Sequence, residues 1–424
     1  MTPTRKTAFL LITALIMALI VGCSNTGNSA TSTVNAGAHS SDLPAMTTGE
    51  PESPDSEEAS ESAASANTDT GDDTSSISVG SSDYPVSMGK VTALRLADFK
   101  TGWAGGEGWI SRTNDGGKTW KLQLQHKYIV KQLFALNDRE VWATLGAADA
   151  TTTFKLVHTM DGGKSWAEIG EVPNPGFLHF GTSKEGFVGN ARTEDGGKTW
   201  STLPVPTGLV GEAYFHDLGN GWAVTQNVDK QELYINHTAD AGKTWDTVLT
   251  RKSAVPVTGT VIRSAGKNDA WVQLIGDSGM SQTSYSLFHT VDGGKSWIPV
   301  LANHQAGSGP APGYENSNET GVPRNNGSGP GTLYVVDSQT AFMGGRCSAC
   351  DLPNTMGKTV DYGKTWTNLP AEFPGYGEQL IAAADADHVW WINTDNVEPS
   401  VMYVSSDGGK NWTKVHAFDK PKAQ

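Results

Sequence analysis

Residues 113–120 read TNDGGKTW, and the phrase returns six times: TMDGGKSW at 159–166, TEDGGKTW at 193–200, TADAGKTW at 238–245, TVDGGKSW at 290–297, TVDYGKTW at 359–366 and SSDGGKNW at 405–412. All seven copies fit [ST]-x-D-x-G-K-x-W, so an internal repeat organises the chain. The aspartate (Asp115, Asp161, Asp195, Asp240, Asp292, Asp361, Asp407) has a short carboxylate suited to accepting N–H bonds inside a tight turn, and the Ser or Thr hydroxyl supplies a second local partner. The glycine two positions on adopts backbone angles that strain other residues. The tryptophan (Trp120, Trp166, Trp200, Trp245, Trp297, Trp366, Trp412) opens the next strand and carries a large ring to bury.

Each copy has a companion upstream in which an aromatic strand follows a turn. These read Gly102-Trp103-Ala104, Val141-Trp142-Ala143, Gly186-Phe187-Val188, Gly221-Trp222-Ala223, Ala270-Trp271-Val272, Ala341-Phe342-Met343 and Val389-Trp390. Asp98, Asp138, Asp217, Asp269, Asp337 and Asp387 stand just before six of them and read as turn formers. Boxes and companions together account for twelve of the 14 tryptophans, leaving Trp109 and Trp391. A unit therefore reads as four strands: an apolar one such as 91–96, the aromatic one, a third running into the box, and a fourth begun by its tryptophan. From Asp115 the boxes are spaced by 46, 34, 45, 52, 69 and 46 residues. Such a period predicts an all-β fold, a seven-bladed β-propeller of four-stranded antiparallel blades, closed so that no long sheet edge is exposed. The first blade is expected to begin with its own innermost strand near Lys90 and the last to end near Val415, with 84–88 available as an edge strand.

The motif resembles the Asp box of bacterial-neuraminidase-type (BNR) repeats. The fuller phrasing, an acid, Gly-Trp-Ala, then T-x-DGGKTW, is similar to the photosystem II stability and assembly factor family and its bacterial relatives, over about 90–416. That resemblance implies a seven-bladed, exported protein with a binding or assembly role and no enzymatic activity. It does not carry over the family's own partner.

The formal charge of −14 is unevenly spread. Residues 24–89 have eleven acids and no Lys or Arg, while 90–424 carry 29 basic and 34 acidic residues, a balance of −5. Nothing here offers the clustered cations that nucleic acid needs, so no nucleic-acid partner is expected. At the start, Arg5 and Lys6 precede an apolar run over 8–21 that ends in Ile20-Val21-Gly22-Cys23. A basic stretch followed by a short apolar segment is a secretory signal. Its end resembles the bacterial lipobox, whose cysteine carries the lipid, so Cys23 is the expected lipidation site. The chain divides on this reading into a signal peptide (1–22), a disordered acidic Ser/Thr/Ala-rich tether (23–89) and the propeller (90–418). The tether's composition cannot offset the entropy of ordering, and as a flexible coil it reaches roughly 45 Å.

Asp boxes also occur in sialidases and glucan-cleaving glycosidases, which makes catalysis the rival reading. A sialidase needs three arginines on the substrate carboxylate. Arg112 and Arg192 lie at box strands, and Arg95, Arg139, Arg251, Arg263, Arg324 and Arg346 form no evident triad. Other glycosidases pair two carboxylates about 5–10 Å apart. Glu212, Asp277, Glu315, Glu372 and Glu378 stand outside the repeat, yet the sequence does not pair them. The box lysines (Lys118, Lys164, Lys198, Lys243, Lys295, Lys364, Lys410) read as solvated turn residues rather than a basic ring. No catalytic residue, metal ligand or cofactor is therefore assigned.

The longest interval contains 303–332, rich in Gly, Pro and Asn and without strand periodicity, which is either a recognition element or a loose surface loop. Cys347 and Cys350 follow, and in an exported chain the pair reads as a structural disulfide rather than a redox or zinc site. The sequence thus predicts a monomeric, lipid-anchored protein on the extracytoplasmic face of a bacterial cell membrane, facing the cell wall. It would bind a protein or glycan at one end of its channel together with 303–332 and 347–357; the alternative is an Asp-box glycosidase acting on extracellular glycans.

Overall fold

Glycine-closed turns and alternating apolar residues give antiparallel strands throughout. The computed structural model describes residues 76–77, 86–318, 321–346, 353–374 and 377–422, so the signal segment, Cys23, most of the tether, Cys347 and Cys350 lie outside the described residues. The fold is an all-β propeller. Among the described residues the strands form six hydrogen-bonded sheets, five of four strands and one of seven. This corrects the expectation of seven separate four-stranded blades. The reason is a single long strand, Lys121–Ala135, which begins as the outer strand of the first repeat, pairing Leu124 with Ile110. It continues without interruption as the innermost strand of the second, pairing Phe134 with Trp142. The strand Gly102–Thr113 likewise holds both middle strands of the first repeat, turning back at Gly108 (φ 85°).

The edge strand differs too. Ser76–Ile77 pairs antiparallel with Ala167 and Trp166, on the outer strand of the second repeat, and 86–88 join no strand. The innermost strand Val91–Leu96 packs beside Gln379–Ala383, the innermost strand of the last repeat, which closes the ring. Backbone and side chain seal that seam. Met88 N donates to Asp419 Oδ2 (2.8 Å), Asp419 N donates to the Met88 carbonyl (2.9 Å), and Val91 N donates to Ser400 Oγ (3.1 Å).

The core is not one mass but seven apolar clusters, one at each junction between consecutive repeats. Every cluster joins the companion aromatic of one repeat to the box tryptophan of the next. Trp103 lies with Trp166, Trp142 with Trp200, Phe187 with Trp245, Trp222 with Trp297, Trp271 with Trp366, Phe342 with Trp412 and Trp390 with Trp120. All seven companion aromatics are fully buried. Each ring excludes a large apolar area from water, and truncating such a ring to alanine costs about 3–5 kcal/mol.

Candidate functional site: the box turns and the central cavity

The seven boxes share one hydrogen-bond pattern. In the first, Thr113 Oγ1 donates to Asp115 Oδ1 (2.8 Å) and accepts from Gly117 N (3.1 Å). Asp115 Oδ1 also accepts from Thr119 N (2.9 Å), and Oδ2 accepts from Thr119 Oγ1 (2.6 Å). In the last box Asn411 replaces the second hydroxyl and its amide donates to Asp407 Oδ2 (2.7 Å). Desolvation would raise the Asp115 pKa, but the bonds from Thr119, Thr113 and Lys118 outweigh it and hold the carboxyl at about 2. Asp161 and Asp195 sit at about 2 for the same reasons. A carboxylate whose lone pairs are spent on its own turn is a fixed structural anion, not a reagent. The seven box lysines are all exposed.

The turns before the companion strands follow related chemistry, with shifts from the expected residues. Asp98, Asp217 and Asp337 accept backbone N–H bonds as anticipated. In the second and last repeats Asn137 and Asp385 do so instead of Asp138 and Asp387. Asp269 is different. It accepts from Ala265 N (2.8 Å) and faces His289 Nε2 at 2.9 Å, while His289 Nδ1 lies 2.8 Å from the Tyr362 carbonyl and its ring stacks 3.6 Å from Trp271. This buried Asp–His pair ends on a backbone carbonyl, not on a nucleophile.

That contact exposes a second periodic feature that sequence reading missed. The residue immediately before each box is Arg112, His158, Arg192, His237, His289 or Lys358, with Val404 the exception. It pairs across to the companion aromatic in Trp142 with His158, Trp222 with His237 and Trp271 with His289, and Val404 pairs with Trp390 in the same way. From this position Arg112 and His289 reach the next box. Arg112 Nη1 donates to the Gly162 carbonyl (2.7 Å) and His289 meets that of Tyr362, both the residue following a box aspartate. Trp142 Nε1 makes the equivalent bond to the Gly196 carbonyl (3.0 Å). These bonds latch three of the box turns to the preceding repeat, whereas Arg192 pairs with Glu185 and Glu194 in its own repeat and His158 with Glu140.

The boxes and companion turns share one face, since Gly116 N donates to the Lys100 carbonyl and Gly408 N to that of Asp387. The connections from each fourth strand to the next repeat lie at the opposite ends of the strands, and 304–328 is one of them. Its described residues are tied to neighbouring repeats at several points, while 315–318 are exposed. Tyr314 is buried against the Tyr214–Trp222–Phe288 cluster, and Arg251 Nε donates to the Gly313 carbonyl (3.0 Å). Asn325 bridges by donating to the Gly344 carbonyl (3.0 Å) and accepting from Trp366 Nε1 (3.2 Å). The end of the expected loop is also a strand, Gly329–Val335.

All seven repeats wall a central cavity of about 560 Å³, six through their innermost strands and the third through Pro175, Phe177 and Gly189. Threonines stitch its wall: Thr92 Oγ1 donates to the Val130 carbonyl (2.6 Å) and Thr260 Oγ1 to that of Val210 (3.2 Å). Aliphatic side chains such as Ala93, Leu133, Val261, Leu333 and Ile381 alternate in the lining with polar ones such as Thr92, Gln132, Thr260 and Thr332. Its charged members among the described residues are Arg95, Lys131, Arg263 and Glu212. Arg263 stacks 3.7 Å over Phe177 and donates to the Ile262 carbonyl (2.8 Å). Burial lowers its pKa to about 10, with Tyr214 and Glu212 pulling upward and Arg95 pushing down. Arg95 lies 4.9 Å over Phe134. The structure thus brings together two of the six arginines considered for a triad. The others are elsewhere: Arg346 pairs with Glu378 (3.0 Å), Arg251 lies over Tyr314, Arg324 donates to the His304 carbonyl, and Arg139 is exposed. Tyr214 is buried, its pKa pushed up to about 12, and its hydroxyl points at the Ser264 carbonyl (3.4 Å). Glu212 is the one carboxylate among the described lining residues, and Asp277, Glu315, Glu372 and Glu378 are exposed outside the cavity.

Among families, the BNR/Asp-box repeat matches residues 403–414. No curated protein matches. Among solved structures, YCF48 bound to D1 peptide is 17% identical with a TM-score of 0.42, over 78% of this chain and 97% of that one. YCF48 from Cyanidioschyzon merolae is 14% identical with a TM-score of 0.46, over 79% and 97%. A GH74 xyloglucanase from Xanthomonas campestris is 13% identical with a TM-score of 0.45, over 80% of this chain and 68% of that one. At these values the likenesses assign neither ligand nor activity.

Proposed function

We propose that this chain is an exported, lipid-anchored, monomeric binding scaffold whose propeller holds an extracytoplasmic protein or glycan at its central cavity. The observation that carries this reading is the cavity itself: a concave site of mixed aliphatic and polar lining, walled by every repeat. The box carboxylates support it, being committed to their own turns. The lipobox-like Ile20-Val21-Gly22-Cys23 and the acidic segment behind it support anchoring at a membrane and projection away from it. Resemblance to the assembly-factor family supports the scaffold role and supplies no ligand.

Glu212, set beside Arg263 and Tyr214, is the observation that favours the rival glycosidase. The test is in-cell photocrosslinking from Lys131, at the cavity, with Lys410, on a box turn, as control. A species captured from position 131 alone is expected. Identical capture from both positions, or turnover of a wall glycan or chromogenic glycoside abolished by Glu212→Gln, would overturn it. Cys23→Ala is expected to move the chain out of the membrane fraction; unchanged membrane association defeats the anchoring part.

A further inference from the structure

We infer that the central cavity takes a carboxylate carried on an apolar body, with Arg95 and Arg263 as its counter-charge. This inference deepens the reading of the cavity as a binding site and rests on it. The cavity is cationic within a mildly acidic fold: Arg95, Lys131 and Arg263 line it against Glu212 alone among the described residues. Neither arginine has a carboxylate within ion-pair distance among the described residues, and Glu212 is exposed. Arg95 Nε is shielded from solvent and has no hydrogen-bond partner there. Half-buried cations without a counter-ion are costly unless something supplies one.

Each guanidinium is already oriented by an aromatic face, Arg263 by Phe177 and Arg95 by Phe134. A planar fork held in that way matches a carboxylate with two parallel N–H···O bonds. The rest of the wall decides what the carboxylate is attached to. Ala93, Leu94, Leu133, Leu333 and Ile381 offer dispersion contacts, while the polar lining groups Thr92, Gln132, Thr260 and Thr332 already donate to backbone carbonyls, which suits an aliphatic or aromatic body better than a strongly hydrated phosphate or a bare sugar. A cavity of about 560 Å³ has the size of a small-molecule site.

The experiment titrates the full chain, purified in detergent, with naphthylacetate and with its neutral counterpart naphthylacetamide, by calorimetry. The acid is expected to bind about tenfold or more tightly than the amide, the scale of a charge-assisted hydrogen bond. Arg263→Gln together with Arg95→Gln should abolish that preference. Equal affinity for acid and amide would overturn the charge rule while leaving the cavity as a binding site. No binding of either, or a preference that survives loss of both arginines, would overturn the proposal as well. The acid–amide comparison is made on the unaltered protein, so it decides even if the variants fold poorly.

Discussion

Trp120 and Trp390 meet edge to face, their ring centroids 6.2 Å apart and their planes at 77°, although one opens the first repeat's outer strand and the other belongs to the last repeat. The pair reproduces at the seam what the other junctions do within the chain. Trp297 and Trp222, for instance, meet at 5.9 Å and 89°. Trp390→Ala is therefore expected to cost about 3–5 kcal/mol in denaturant unfolding. A loss below about 1 kcal/mol, the scale of an ordinary surface change, would mean that the seam does not bear on the stability of the ring.

The boxes predict an acid limit. Asp115, Asp161, Asp195 and Asp407 have carboxyl pKa values of about 2 in the fold, against about 3.9 in an unfolded chain. Asp240, Asp292 and Asp361 are lowered in the same direction. A depressed carboxylate stabilises fully above the unfolded value, and that contribution disappears as pH falls through the folded one. The box contribution should thus hold steady down to about pH 4 and disappear between there and about pH 2, beneath the decline in melting temperature that histidines buried neutral, such as His126 and His179, start at about pH 6.5. Asp115→Asn should make the fall below about pH 4 shallower, and a profile unchanged by the substitution would remove Asp115 from the account.

Two glycine positions of the box respond oppositely. Gly117 has φ 84°, and a Cβ there would collide with the Met402 side chain, so Gly117→Ala should destabilise by more than 1–2 kcal/mol, roughly the left-handed penalty alone. One position earlier, Ala241 stands at φ 64° where five of the other six boxes have glycine and the sixth has Tyr362 (φ 69°). Ala241→Gly relieves that strain at the expense of unfolded-chain entropy, for a net gain of about 0.5–1 kcal/mol. Chemical denaturation of both variants checks the signs; a destabilised Ala241→Gly would show that the turn is not strained there.

Cys347 and Cys350, in an exported chain, are expected to resist alkylation in unreduced protein under native and denaturing conditions alike, and to label after reduction. Two freely labelled thiols in the exported protein would rule out the disulfide.

The box turns were legible because all their chemistry is local: Thr113, Asp115, Gly117 and Thr119 satisfy one another within seven residues. The companion tryptophans were legible as a period, but their partners were not, because Trp390 finds Trp120 only when the ring closes. The residues before the boxes escaped notice because Arg112, His158 and Lys358 share a position but neither an identity nor a partner. The division of the sheets was hidden in Lys121–Ala135, where no turn residue separates one repeat from the next. The packing of 304–328 depends on Tyr314 reaching a cluster built by other repeats, which low periodicity conceals. Arg95 and Arg263 were visible as residues and invisible as neighbours; 168 positions separate them in the chain.

The seam also sets the mechanics of the fold. Any pull along the amino-terminal segment first meets Ser76–Ile77, a two-residue pairing that can peel away one bond at a time. The load next reaches Met88, whose backbone is tied to Asp419 at the other end of the ring. Tension from that side is therefore borne by the one junction of the ring that no peptide bond crosses.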